Sequence, residues 1–262
     1  MTSHSKQFDI IIIGAGCAGV TVASSLRRKL SSKTTIALID PSKHHYYQPS
    51  WTLVGGGAYN IKKSQRSMES MIPRGVTFIN ESATEFQPEE NQVSTATGTV
   101  YSYSQLVVTA GLKLDWHKIE GLEETLGKNG VTSNYRFDLA PYTFELVQKM
   151  NAGRAIFTQP PMPIKCAGAP QKAMYLSADH WLKHGHLKNI ELEFCNAGGV
   201  LFGVKEYLPA LMSYTKKYNA KLNMNHKLIK VDGNRKTAWF EKTTETGTEK
   251  YSTTFDMLHV CP

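Results

Sequence analysis

The apolar pattern opens with Phe8–Ile13 (FDIIII), a continuous β-branched run of the kind that forms a strand buried on both faces. It leads into the turn Gly14-Ala15-Gly16-Cys17-Ala18-Gly19, after which Val20, Ala23, Leu26 and Leu30 recur at helical spacing. A second apolar run, 34–39, ends at Asp40 and completes a strand-turn-helix-strand unit of about 30 residues. Residues 41–59 (PSKHHYYQPSWTLVGGGAY) lose any period and read as a loop rich in aromatics and glycine. Short β-rich segments at 76–80, 83–86, 92–95 and 105–110 predict an antiparallel meander that leads back into the sheet. Glycine and charge cluster at 111–130, which predicts a boundary between domains 1–112 and 113–262. Beyond it the pattern predicts helix 138–150, strand 154–158, helix 171–183, strand 190–195 and helix 205–218. Hairpin strands between 227 and 254 and a buried strand at 255–260 follow. Such alternation defines an α/β chain.

The glycine turn carries the first candidate chemistry. Gly14 permits a tight turn, Gly16 lets backbone approach a pyrophosphate, and Gly19 allows close helix-strand packing. The helix behind it offers unpaired N–H groups and a positive dipole end to phosphates. Asp40 closes the next strand, 26 residues after Gly14, where a carboxylate accepts a ribose hydroxyl. Strand before, helix after and acid at the next strand end read as a dinucleotide site rather than a purely structural glycine turn. The motif does not choose between FAD and NAD.

The corresponding place in the second domain holds the loop Gln159–Pro170 (QPPMPIKCAGAP). Pro160, Pro161 and Pro163 stand where a second glycine turn would be, and proline lacks the N–H a pyrophosphate needs. That argues against NAD(P)H binding there. The loop presents Cys166 beside Lys165, just before a helix start near Pro170. Positive charge and a helix N-terminus both favour a nucleophilic thiolate, while a buried small hydrophobe is the other reading of this cysteine. Cys17, Cys195 and Cys261 read as packed structural cysteines. His44 and His45 are adjacent and point different ways, and His180, His184 and His186 read as a solvated helix face, so no metal site is expected. Tyr46, Tyr47 and Trp51 suit either stacking on a flat ring or ordinary packing.

Composition narrows the class. Of 262 residues, 41% are hydrophobic and 20% charged, which fits a globular chain and not a disordered one. Four scattered cysteines make no disulfide scaffold, and no run reaches the ~20 apolar residues of a membrane span. The net charge of +8 suits an anionic substrate or membrane surface. No block of five or six basic residues occurs, so nucleic acid is not expected as a partner. The short polar stretch before Phe8 carries no secretory signal or transit peptide.

The glycine turn, His45-Tyr46-Tyr47-Gln48-Pro49, Trp51-Thr52-Leu53-Val54-Gly55 and above all PIKCAGAPQK (163–172) resemble sulfide:quinone oxidoreductase of the mitochondrial and bacterial type. Phe202-Gly203-Val204-Lys205 and Met257-Leu258-His259-Val260 agree, and the resemblance runs over essentially the whole chain. It implies two Rossmann-like domains of the flavoprotein disulfide-reductase kind, with FAD as cofactor. It implies that Ala18 and Gly19 meet the FAD phosphates, with Ala15 in the same turn, and that Asp40 meets the adenosine ribose. Gln48, Ala83 and Gly111 fall where that family contacts the cofactor. Cys166 matches one of two redox cysteines that turn hydrogen sulfide into a persulfide while electrons pass to ubiquinone. A small thiol or sulfite removes the sulfur, and the protein sits peripherally on the mitochondrial inner or bacterial cytoplasmic membrane. The family continues past this C-terminus with its second cysteine and membrane segments, so the chain is expected to be an N-terminal fragment with an incomplete first domain. Cys261 does not match the second cysteine's motif. A type II NADH:quinone oxidoreductase and a non-catalytic nucleotide-binding module are the alternatives.

Overall fold

A computed structural model describes residues 6–261. The chain forms two compact units, one of residues 1–47 and 63–113, the other of 48–62 and 114–262. A single cut after residue 112 does not anticipate that the 48–62 excursion packs with the second unit.

The first unit is a six-stranded sheet with one helix against it. Its elements are β1 (Lys6–Ile13), α1 (Cys17–Lys29), β2 (Ile36–Ile39), β3 (His44–Tyr46), β4 (Gln65–Ser67), β5 (Thr77–Ile79), β6 (Ala83–Gln87), β7 (Gln92–Thr95) and β8 (Val100–Val108). The order is β5-β2-β1-β8-β7-β6, with β3 and β4 forming a separate antiparallel pair. β1 runs parallel to β2 and β8, and β5 runs parallel to β2, so the 76–80 segment joins the parallel part of the sheet and only β6–β7–β8 form the antiparallel meander expected across 76–110. The unbroken apolar run of β1 has a direct cause. Ile11 and Ile13 pack with Ala37, Ile39 and Tyr101 on one face, while Ile10 and Ile12 pack with Ala23, Leu38 and Met68 on the other. Helix α1 ends on Arg27, Arg28 and Lys29, cations that suit the negative end of its dipole. Arg27 also donates to the Thr34 carbonyl at 2.7 Å, tying the helix end to the loop before β2.

The second unit contains α2 (Trp51–Gly55), α3 (Leu122–Thr125), β9 (Val131–Thr132), α4 (Leu139–Lys149), β10 (Gly153–Gln159), α5 (Ala169–Lys183), β11 (Ile190–Asn196), α6 (Leu208–Lys217), β12 (Lys221–Met224), β13 (His226–Asp232), β14 (Thr237–Thr244), β15 (Gly247–Thr254) and β16 (Met257–His259). Its parallel sheet has the order β12-β11-β10-β16-β9, and β13-β14-β15 form an antiparallel sheet. Side chains alternate between two layers. Ala155, Phe157, Leu192 and Phe194 pack with Met174, Ala178 and Trp181 of α5, whereas Ile156, Cys195 and Leu258 pack with Leu228 and Phe240 of the antiparallel sheet. Trp181 is fully buried and its indole N–H donates to the Val147 carbonyl at 2.8 Å, so the ring joins α5 to α4 without an unmet donor.

Several short elements depart from the pattern, among them β3 and β4, which pair within and just after the stretch read as loop. β9 is two residues long and β12 (KLNM) is four residues with Lys221 exposed and no residue fully buried, so both are too short to show an apolar period. α2 lies in the stretch read as loop, because its five residues are too few to display a helical repeat. No helix among the described residues is long and apolar enough to cross a membrane.

Candidate functional site

In the first unit the glycine turn links β1 to α1, and each glycine has a separate reason. Gly14 has φ +94°, and a Cβ there would stand 2.4 Å from the Thr109 carbonyl oxygen. At Gly19 a Cβ would stand 1.8 Å from the Gly14 oxygen, so this glycine lets the helix lie against the turn. Gly16 is different: a Cβ there would meet nothing within 4 Å. Gly14, Ala15 and Gly19 are buried, whereas Gly16, Cys17 and Ala18 are exposed. The amides of Cys17, Ala18 and Gly19 begin α1 and lack helical partners, and no side chain caps them. An open backbone edge with orphan N–H groups at the positive end of a helix fits a diphosphate.

Several residues fix this edge. Asp40 accepts the Ala15 N–H on Oδ2 and the Ser42 N–H on Oδ1, each at 2.7 Å, and is half-buried. Each oxygen keeps a lone-pair direction for a further donor such as a ribose hydroxyl. Thr109, which sequence reasoning missed, donates its hydroxyl towards the carbonyls of Ile13 (2.8 Å) and Gly14 (2.9 Å). Gly111, with φ +78° and open space around it, follows two residues later. Asn80 donates to the Asp40 carbonyl at 2.9 Å, bringing the loop before Ala83 alongside Asp40, while Ala83 itself opens the edge strand β6. Gln48 belongs to the second unit, where it starts a short turn leading into α2.

Cys17 corrects an expectation. It is exposed and not packed, because it is the first residue of α1 and its side chain leaves the open end of the turn. Buried His45 stands beneath it, with Nε2 3.8 Å from Sγ and Nδ1 3.1 Å from the Ala15 carbonyl oxygen.

In the second unit Cys166 follows β10 on the proline-rich loop, two residues before the Gly168 cap of α5. It is exposed, so the buried-hydrophobe reading does not describe it, and its φ is +60°. A non-glycine residue with left-handed backbone needs surroundings that hold it there. Cys195 and Cys261 are buried as expected, and burial pushes each thiol up to about 12. Among the described residues no three His, Cys, Asp or Glu side chains group to hold a metal.

A polar cluster not legible in the sequence lies at the C-terminal ends of β10, β16 and β9. Gln159, His259 and Asn134 are buried there. The Asn134 side chain, Gln159 Oε1 and His259 Nδ1 make no hydrogen bond within the protein. The Asn134 N–H donates to His259 Nε2 at 3.1 Å, which requires a neutral ring with that nitrogen unprotonated. Burial pushes the ring down to about 4 from its ordinary 6.5. The unfolded chain therefore takes up this proton first as pH falls. Stability is fully present above about pH 6.5, declines as pH falls towards 4, and by pH 5 has lost about 2 kcal/mol from this group. Urea unfolding at pH 7 and pH 5 measures it; equal midpoints would contradict a neutral buried ring.

A mixed sheet whose parallel strands open on this glycine turn defines a dinucleotide-binding fold of the α/β class. Residues 8–149 match the family described as Pyridine nucleotide-disulphide oxidoreductase, and the chain belongs to that family of flavoprotein oxidoreductases. Among curated proteins it is 44% identical over 97% of its length to "Sulfide:quinone oxidoreductase, mitochondrial" of Dictyostelium discoideum, covering 55% of that protein. It is 38% identical over 98% of its length to the protein of the same name from Mus musculus, covering 57%. Among solved structures, the sulfide:quinone oxidoreductase of Aquifex aeolicus superposes with a TM-score of 0.80 at 20% identity, covering 98% of this chain and 58% of that one. The resemblance seen in the sequence is thus matched by relatives at substantial identity and by the fold. The chain spans between half and two thirds of the length of the relatives it matches.

Proposed function

We propose that this chain is the nucleotide- and thiol-bearing part of a sulfide:quinone oxidoreductase, with FAD as its flavin. The carrying observation is Cys166: an exposed thiol in left-handed backbone on a loop whose prolines replace a second glycine turn. The open edge Gly16–Ala18 would take the FAD diphosphate and Asp40 the adenosine ribose. The flavin supplies a two-electron acceptor that hands its electrons on to a quinone.

The chain's own chemistry is sulfur exchange. Hydrosulfide attacks a sulfur bridge joining Cys166 to a second cysteine; one S–S bond forms as another breaks, leaving a persulfide and a thiolate. Lys165, next to Cys166 in the chain, supplies a cation on the same loop to draw the hydrosulfide anion in. Removal of the outer sulfur by a thiol or sulfite acceptor leaves both cysteines reduced, and their bridge re-forms only as they give up two electrons, for which bound FAD would be the acceptor. Sulfur thus rises from sulfide to the sulfane level, and two electrons leave towards ubiquinone. Peripheral attachment to a membrane, where ubiquinone resides, belongs to the same reading.

The test is anaerobic mixing of the flavin-loaded natural protein with sulfide or with NADH. Sulfide should bleach the flavin absorbance at once, and NADH should not, because Pro160, Pro161 and Pro163 deny a pyrophosphate its amides. Bleaching by NADH alone would replace this reading with NADH:quinone oxidoreduction.

A further inference from the structure

Cys166 is bracketed by two held carbonyls. Downstream, its own carbonyl accepts the Ala169 N–H at 2.9 Å as α5 begins. Upstream, the carbonyl of Lys165 accepts the phenol O–H of Tyr135 at 2.8 Å. That second carbonyl belongs to the peptide that sets φ of Cys166, the angle found at +60°. The loop from Pro160 to Gly168 contains no helix or strand, so such contacts decide its shape.

Tyr135 is itself rigidly placed. It is 4% exposed, its N–H donates to Ser133 Oγ at 3.1 Å, and its neighbour Asn134 is tied to His259 of β16. The buried Cys261 thiol lies within hydrogen-bonding reach of the same phenol. A phenol oxygen that donates to a carbonyl keeps acceptor capacity for that thiol. The peg therefore runs from the parallel sheet to the peptide preceding Cys166.

We propose that Tyr135 is a positioning residue for Cys166, fixing the peptide before it and so the direction in which the thiol is presented. The proposal rests on the reading that Cys166 is the reacting thiol, but its first test does not. Lys165–Cys166 is a tryptic bond, and trypsin must loosen the loop to cut it. In the full natural protein, Tyr135→Phe keeps the ring and removes the O–H. Cleavage after Lys165, measured against cleavage after exposed Arg235, should rise about five-fold, the effect of one net hydrogen bond. With sulfide as substrate, kcat should fall by at least about five-fold while KM stays unchanged, since presentation and not access is altered.

Burial also holds the phenol protonated well above its usual range. An unchanged ratio in Tyr135→Phe, or a loosened loop with undiminished kcat, would each overturn the proposal. Absence of sulfide turnover in the unmodified protein would instead remove the functional reading, because the cleavage ratio is read without turnover.

Discussion

Replacing Cys166 by serine should lower sulfide-dependent quinone reduction by about three orders of magnitude while leaving the protein folded and yellow. Serine matches cysteine in shape, and the residue is exposed, so the change costs little packing, within about 0.5 kcal/mol. What disappears is the sulfur. A hydroxyl cannot enter a sulfur bridge, cannot carry a persulfide and is a poor leaving group beside a thiolate. The measurement is quinone reduction at saturating sulfide, with flavin content and urea midpoint recorded on the same preparation. Cys195→Ala is the control. Its thiol is buried between β11 and the antiparallel sheet, so its loss should reduce stability and leave turnover in place. Retained turnover in Cys166→Ser would end the assignment of this residue.

The contrast between these two cysteines shows what the sequence could and could not disclose. Cys195 ends an apolar strand, and a buried strand buries its end, so its role is written in the run 190–195. Cys166 is read from the prolines around it, since Pro160, Pro161 and Pro163 exclude both a glycine turn and regular structure. Likewise the glycine turn is legible because each glycine answers to a local backbone need. Legibility fails where the cause is a contact far along the chain. Thr109 reaches the turn from 95 residues away, Tyr135 reaches Lys165 from 30, and Asn134 reaches His259 from 125. None has a spacing that periodicity could register. Cys17 failed for a subtler reason, since a cysteine within an apolar-looking helix start reads as packed, yet the first helical residue faces outward when its turn is open.

Gly19→Ala should destabilise the first unit by about 3 kcal/mol or more and abolish retention of the dinucleotide. The added methyl would stand 1.8 Å from the Gly14 carbonyl oxygen and 2.9 Å from both the Gly14 carbonyl carbon and Thr109 Oγ1. Neither backbone atom can swing aside. Gly14 is itself fixed by its N–H bond to the Ile39 carbonyl at 2.8 Å, and Thr109 is engaged with Ile13 and Gly14. The helix must therefore move away from β1, which unpacks Ala23 from Ile12 and Leu38 and displaces the amides that begin α1. Gly16→Ala separates folding from binding. A Cβ there meets nothing within 4 Å and φ is an ordinary −67°, so stability should change by less than about 0.5 kcal/mol. The methyl nevertheless fills the space through which a diphosphate approaches the backbone, so cofactor affinity should fall by at least about ten-fold. Urea unfolding of the cofactor-stripped variants gives the first quantity and flavin absorbance after gel filtration the second. A Gly19→Ala protein with an unchanged midpoint, or a Gly16→Ala protein that keeps its full colour, would show that this turn is not the cradle its geometry describes.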